Sequence, residues 1–132
     1  MFNRTWKWAG KFRHSGKNIG IDWPMIPEEL QKLCADVRYQ LEHKSFPDDE
    51  IAVRMHHRLV SIHPFPNGNG RHARLISDMY LHAHGEPLPI WPSGDIAREG
   101  GMRDDYLAAL RAGDKNDFVP LIRLQIHFSP AN

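Results

Sequence analysis

The stretch His63-Pro64-Phe65-Pro66-Asn67-Gly68-Asn69-Gly70-Arg71-His72-Ala73-Arg74 separates two segments whose apolar residues recur at helical spacing. Ile51, Met55, Leu59 and Ile62 precede it, and Ile76, Met79, Tyr80 and Ala83 follow it. Pro64, Pro66, Gly68 and Gly70 are each costly inside a helix, and Asn67 and Asn69 favour turns. The pattern predicts a tight loop over 63–74 that opens a new helix near Arg71.

A glycine-rich loop at a helix N-terminus is suited to an anion, because its unpaired N–H groups point outward and the helix dipole favours negative charge. Gly68 and Gly70 lack a Cβ, so their backbone can come close to a phosphate. Arg71 and Arg74 are three residues apart and fall on neighbouring positions of one helix face, within reach of phosphate oxygens. His63, at the mouth of the loop, supplies a side chain that can accept a proton near neutral pH. Any one of these residues is more often plain polar surface. Nothing structural calls for a base and two arginines around a double-glycine loop, so together they point to chemistry on a phosphate ester or anhydride.

The same residues carry a resemblance. The stretch is similar to the Fic signature H-x-F-x-[D/E]-G-N-G-R-x-x-R, with His63, Phe65, Gly68, Asn69, Gly70, Arg71 and Arg74 in place and Asn67 at the acidic position. A motif of this length is far more specific than a lone GxGxxG. Around the motif and the flap, the chain most resembles the branch often called mobile mystery protein B. The resemblance runs from Trp6 to about Phe128 and implies a single Fic domain over 1–132, all-α, a helical bundle with a small β-hairpin flap. That branch carries helices before the flap, and the chain is expected to lack them.

Outside the loop, a turn at Ser15-Gly16-Lys17-Asn18 sits between alternating Trp6, Trp8, Phe12 and Ile19, Ile21, which predicts a hairpin over about 5–22. By resemblance, Gly10, Lys11, Phe12 and Arg13 form the flap edge that aligns a target segment, backbone to backbone. Pro27 with Glu28 and Glu29 begins a helix striped by Leu30, Leu33, Val37 and Leu41. Pro47-Asp48-Asp49-Glu50 begins the next in the same way. In it His56 and His57 point about 100° apart and read as a structural or surface pair. The helix after the loop is expected to run to about His84 and stop at Gly85. A further helix is expected over 95–112, lined by Met102, Tyr106, Ala109 and Leu110 and ended by Gly113, and a last one capped by Asn116 or Asp117.

At 132 residues with 17 basic and 16 acidic side chains, the net charge is only +1, so no general attraction to nucleic acid or a membrane surface follows. The single cysteine, Cys34, leaves no internal disulfide and no cysteine-built zinc site, and fits a reducing cytoplasm. No apolar run is long enough to span a bilayer.

The function implied by the resemblance is protein adenylyl transfer, moving AMP from ATP to a Tyr, Thr or Ser hydroxyl of a target protein. His63 would be the base and Arg71 a second catalytic residue. Backbone groups of Gly68, Asn69 and Gly70 would hold phosphate oxygens, with the Asn69 side chain helping, and Arg71 and Arg74 would take the β- and γ-phosphates. Mg²⁺ would sit near Asn67, where a carboxylate is the usual ligand. Tyr106 flanks the adenine or, more simply, belongs to the core. Two alternatives stay open. One is a Fic enzyme moving another phosphate-containing group. The other is a non-catalytic, toxin-like module that holds a nucleotide, an antitoxin or a helix-turn-helix partner.

Overall fold

The computed structural model describes residues 12–14, 20–91 and 100–130, the side chains of 100–102 excepted. A single turn of 3-10 helix, Trp23–Met25, leads into α1 (Ile26–Glu42). Then come α2 (Asp48–Ile62), α3 (Asn69–Ala83), α4 (Gly100–Asp114) and α5 (Val119–Phe128). No strand occurs among the described residues. The helical expectation holds. The hairpin over 5–22 falls mostly outside the described residues, and Gly10 and Lys11 with it. Phe12 and Arg13 are described and lie in irregular chain.

The helix starts follow local chemistry. Pro27 sits in the first turn of α1 with Glu28 and Glu29, and Asp48, Asp49 and Glu50 occupy the first turn of α2. Carboxylates there face the positive end of the helix dipole. Gly85, with φ +73°, turns the chain after α3, and the Glu86 N–H returns to the Leu81 carbonyl at 2.9 Å. The N-cap of α5 is Phe118, not Asn116 or Asp117, and Asp117 before it accepts the Val119 N–H at 3.2 Å.

α2 is the spine of the bundle. One side packs Met55, Leu59 and Ile62 with Ile26 and Leu33 of α1 and Ala73 of α3. The other packs Val53 with Tyr106 and Ala109 of α4 and Phe118 and Leu121 around the start of α5. Ile26, Ile51, Ile62 and Leu121 are fully buried, each worth roughly 1.5–3 kcal/mol of hydrophobic stabilisation.

Three further expectations are corrected. Gly113 does not end α4, which continues to Asp114. A Cβ on Gly113 would lie 2.6 Å from Cδ2 of His57, so glycine is there to let α4 approach α2. The inward face of α3 is Ala73, Arg74, Ser77 and Leu81, whereas Met79 is 59% exposed and Ala83 also faces outward. Small residues at 73 and 77 bring α3 close to α2, and the Ser77 hydroxyl is satisfied by the Arg74 carbonyl at 3.0 Å. Leu41 leaves the α1 stripe and is exposed. The part of the fourth helix expected before Gly100 lies outside the described residues, as does the Met102 side chain.

Candidate active site

The loop joins the C-terminus of α2 to the N-terminus of α3. His63 caps α2 in the left-handed conformation, φ 53° and ψ 60°, and Gly68 opens α3 with φ 73°. The first helical bond of α3 runs from the His72 N–H to the Gly68 carbonyl at 2.9 Å. The helix therefore begins at Asn69, two residues before the sequence suggested. No side chain of the N-cap residue takes up the first amides of α3, so the N-terminal N–H groups point out of the helix beside the loop. This is the geometry that favours an anion.

Asn69 shapes the loop from within. It is 5% exposed, and its side-chain amide bonds both backbone groups of Phe65: Oδ1 accepts the Phe65 N–H at 2.9 Å, and Nδ2 donates to the Phe65 carbonyl at 2.8 Å. The amide closes the loop and keeps one Nδ2 hydrogen beyond the bond to Phe65. The Phe65 ring lies between Phe12 and His72, at 5.9 and 4.7 Å between centroids. Burial pushes the His72 imidazole below its ordinary pKa.

The two arginines differ. Arg71 is exposed at the mouth of the site. Arg74 is 8% exposed and folds beneath the first turn, so that a Cβ on Gly70 would stand 3.2 Å from its Nη1. A side chain at residue 70 would crowd the guanidinium below it by a few tenths of an ångström. Arg74 also bonds the Tyr106 hydroxyl, opposing the burial that raises this phenol's pKa. Burial likewise raises the pKa of Asp78, and the bond from Trp91 and the charge of Arg74 offset this only in part. Asp78 accepts from Trp91 Nε1 at 3.4 Å.

Tyr106 is placed in the core at 7% exposure, with its hydroxyl 2.8 Å from Nε2 of His56. His56 is fully buried. Desolvation first, then Arg74, then His57, lower its pKa to about 3, so it is a neutral imidazole. An arginine only donates. With Arg74 on the phenol oxygen, the hydroxyl hydrogen is left for His56. His57 points elsewhere, to Asp114 Oδ1 at 2.9 Å, and packs edge-on against Phe118.

Arg13 turns its side chain inward. It is 1% exposed and reaches into the end of α2. Its N–H donates to the Pro64 carbonyl at 2.8 Å, Nε to the His63 carbonyl at 2.5 Å, and Nη2 to the carbonyls of Ile62, at 3.2 Å, and Ile21. The guanidinium is bonded to carbonyls and faces away from solvent, so what Arg13 contributes here is a buried side chain at the end of α2. Asn67 is exposed at the loop tip. Among the described residues no three His, Cys, Asp or Glu side chains gather where they could hold a metal ion. No helix there is long and apolar enough to cross a membrane.

Sequence reasoning missed His56, Asp78 and the inward role of Arg13. Asp78 was findable, standing four residues after Arg74 on one helix. The other two had no signal of their own.

Residues 1–81 match the Fic/DOC family. The chain is 32% identical over 127 residues to protein adenylyltransferase fic-1 of Caenorhabditis briggsae, covering 94% of this chain and 24% of that protein. It is 51% identical over 80 residues to a uridine 5'-monophosphate transferase of Xanthomonas campestris, covering 54% of this chain and 15% of that protein. Among solved structures, a Fic-1 segment of Caenorhabditis elegans aligns with a TM-score of 0.68 at 27% identity, covering 91% of this chain and 34% of that one. This chain thus spans about a quarter of the length of the nematode adenylyltransferase.

Proposed function

From the premise that the chain belongs to the Fic/DOC family, we propose that it transfers AMP from ATP to a Tyr, Thr or Ser hydroxyl of a target protein. The observation that carries this reading is the left-handed His63 across a short loop from the N-terminus of α3. A base and an anion cradle separated in this way suit attack on a phosphorus atom.

In the proposed reaction the target oxygen bonds to the α-phosphorus and the α–β anhydride bond breaks. The hydroxyl proton passes to His63, and pyrophosphate leaves. The N–H groups of Gly68, Asn69 and Gly70 hold phosphate oxygens where negative charge accumulates. Arg71 reaches the β-phosphate from the mouth, and Arg74 adds its charge from beneath Gly70. The β-hairpin flap belongs to this proposal, aligning the target's backbone beside His63 by strand addition.

The residues present fit a magnesium ion that arrives on the triphosphate. Asn67 offers an exposed amide oxygen, and the described residues gather no carboxylate cage. Mg²⁺ is commonly held in this way, mostly by phosphates and water. When bound it supplies charge neutralisation across the α- and β-phosphates.

A second reading is UMP transfer, favoured by the 51% identity to a protein named for that activity. The deciding experiment incubates the protein with a cell lysate, Mg²⁺ and ATP or UTP in turn, followed by mass spectrometry of the proteins. An AMP increment that vanishes with His63→Ala supports adenylyl transfer, and a UMP increment alone selects the second reading. No increment with either nucleotide rejects both. His63→Ala should leave ATP affinity nearly intact, because residue 63 acts on the nucleophile.

A further inference from the structure

We infer that Arg13 is a positioning residue for His63, its buried guanidinium capping the last carbonyls of α2 and so aiming the imidazole across the loop. The inference rests on the reading of His63 as the base.

The last carbonyls of a helix have no partner within it and carry the negative end of the dipole. At the end of α2 they belong to the very residues that aim His63. Arg13 takes the carbonyls of Ile62 and His63 with its side chain and that of Pro64 with its backbone N–H. Three consecutive peptide groups are thereby held by one residue some fifty positions away in sequence. They need holding, because His63 is a non-glycine residue at φ 53°, a conformation that persists only when its surroundings enforce it. Gly20 closes the same pocket. Its φ is +87°, and a Cβ there would lie 2.7 Å from both Arg13 Nη2 and His63 Cβ. Nη2 also bonds the neighbouring Ile21 carbonyl, tying residues 20–21 to the end of α2.

The nucleotide side of the site has a separate anchor. Arg74 is held by Tyr106 and sits near His56 and Asp78, on α2, α3 and α4. Loss of Arg13 should therefore disturb the base and spare the cradle. A residue that merely stabilised the fold would weaken both together.

The test compares Arg13→Met and Arg13→Lys with the parent chain. Three quantities are read: amide hydrogen exchange over residues 59–66, affinity for a non-hydrolysable ATP analogue, and single-turnover transfer from radiolabelled ATP to lysate proteins at saturating nucleotide. For Arg13→Met, exchange at 62–65 should accelerate by about tenfold or more as this end of α2 opens locally. Analogue affinity should hold, and transfer should fall by about 100-fold, as for a base displaced by roughly 1 Å. Arg13→Lys keeps a cation but not the fork and should recover part of both losses. Parental exchange in Arg13→Met overturns the inference, whether or not the parent transfers anything. That arm separates its failure from failure of the proposed activity. Equal loss of affinity and rate also overturns it. Should Arg13→Met not fold, Arg13→Lys carries the test with the same split at smaller size, and parental exchange and rate in that variant overturn the inference.

Discussion

The side-chain amide of Asn69 pairs with both backbone groups of Phe65, at 2.9 and 2.8 Å, closing the active loop into a ring from its far end. Two part-buried backbone groups that no helix could satisfy are thereby paired, and α3 starts at a fixed place.

Asn69→Ala leaves the Phe65 N–H and carbonyl without these partners in a half-buried loop. The expected loss is about 1–3 kcal/mol, read from the denaturant midpoint. Asn69→Asp keeps the acceptor for the Phe65 N–H but sets a buried carboxylate oxygen where Nδ2 donated to the Phe65 carbonyl. It should be at least as destabilising as alanine and should also weaken ATP affinity, because it adds negative charge beside the triphosphate. Equal affinity in the aspartate variant and the parent would show that the phosphates do not approach this turn.

Asn67→Asp tests the metal. A carboxylate adds a charge-assisted contact, roughly twice as strong as a neutral one. In a working transferase it should lower the Mg²⁺ concentration for half-maximal rate and alter the saturated rate much less. In a module that only binds, it should tighten Mg·ATP binding with no transfer at any Mg²⁺ concentration. Titration of Mg²⁺ on both forms separates these outcomes, and an unchanged dependence would mean that residue 67 does not face the ion.

The protein should lose stability in mild acid through His56. Unfolded, this histidine takes its proton near pH 6.5; folded, burial, Arg74 and His57 hold it off until about 3. Across that window the unfolded chain binds more protons, so stability present above 6.5 falls as pH falls. By pH 5 the loss from this residue is about 2 kcal/mol, at 1.36 kcal/mol per pKa unit. His72, lowered by burial, adds in the same direction. Denaturant midpoints at pH 7 and 5 should differ less in His56→Gln, which gives the Tyr106 hydroxyl an acceptor that does not titrate.

Gly113→Ala sets two effects against each other. Alanine in a helix interior gains about 1 kcal/mol over glycine. Here the new Cβ would stand 2.6 Å from the His57 ring, which is held by Asp114 and packed against Phe118. Overpacking of this kind costs about 1–3 kcal/mol, so the net effect should be destabilising. The double variant with His57→Ala should recover the helix gain, as thermal melting would show.

The helices were legible because their signals are local: Pro27 and the acidic first turns, Gly85 after α3, and the apolar spacing of Ile51, Met55, Leu59 and Ile62. The loop was legible for the same reason, since Gly68, Gly70 and the prolines act on their own backbone. What could not be read was which face of a helix meets a neighbour when it has two. α2 shows one apolar stripe, yet it is buried on both sides, and that alone turned His56 from an ordinary member of a histidine pair into a neutral core residue.

The sequence by itself determined the loop, its glycines, its histidine and its two arginines, because a twelve-residue run specifies its own turn and helix start. The tertiary structure decided what each side chain is used for. It set Arg74 under Gly70, folded the Asn69 amide onto Phe65, and buried the Arg13 guanidinium at the end of α2. Those roles follow from contacts between segments far apart in the chain. A guanidinium fifty residues from a carbonyl carries no local mark of the bond it will make.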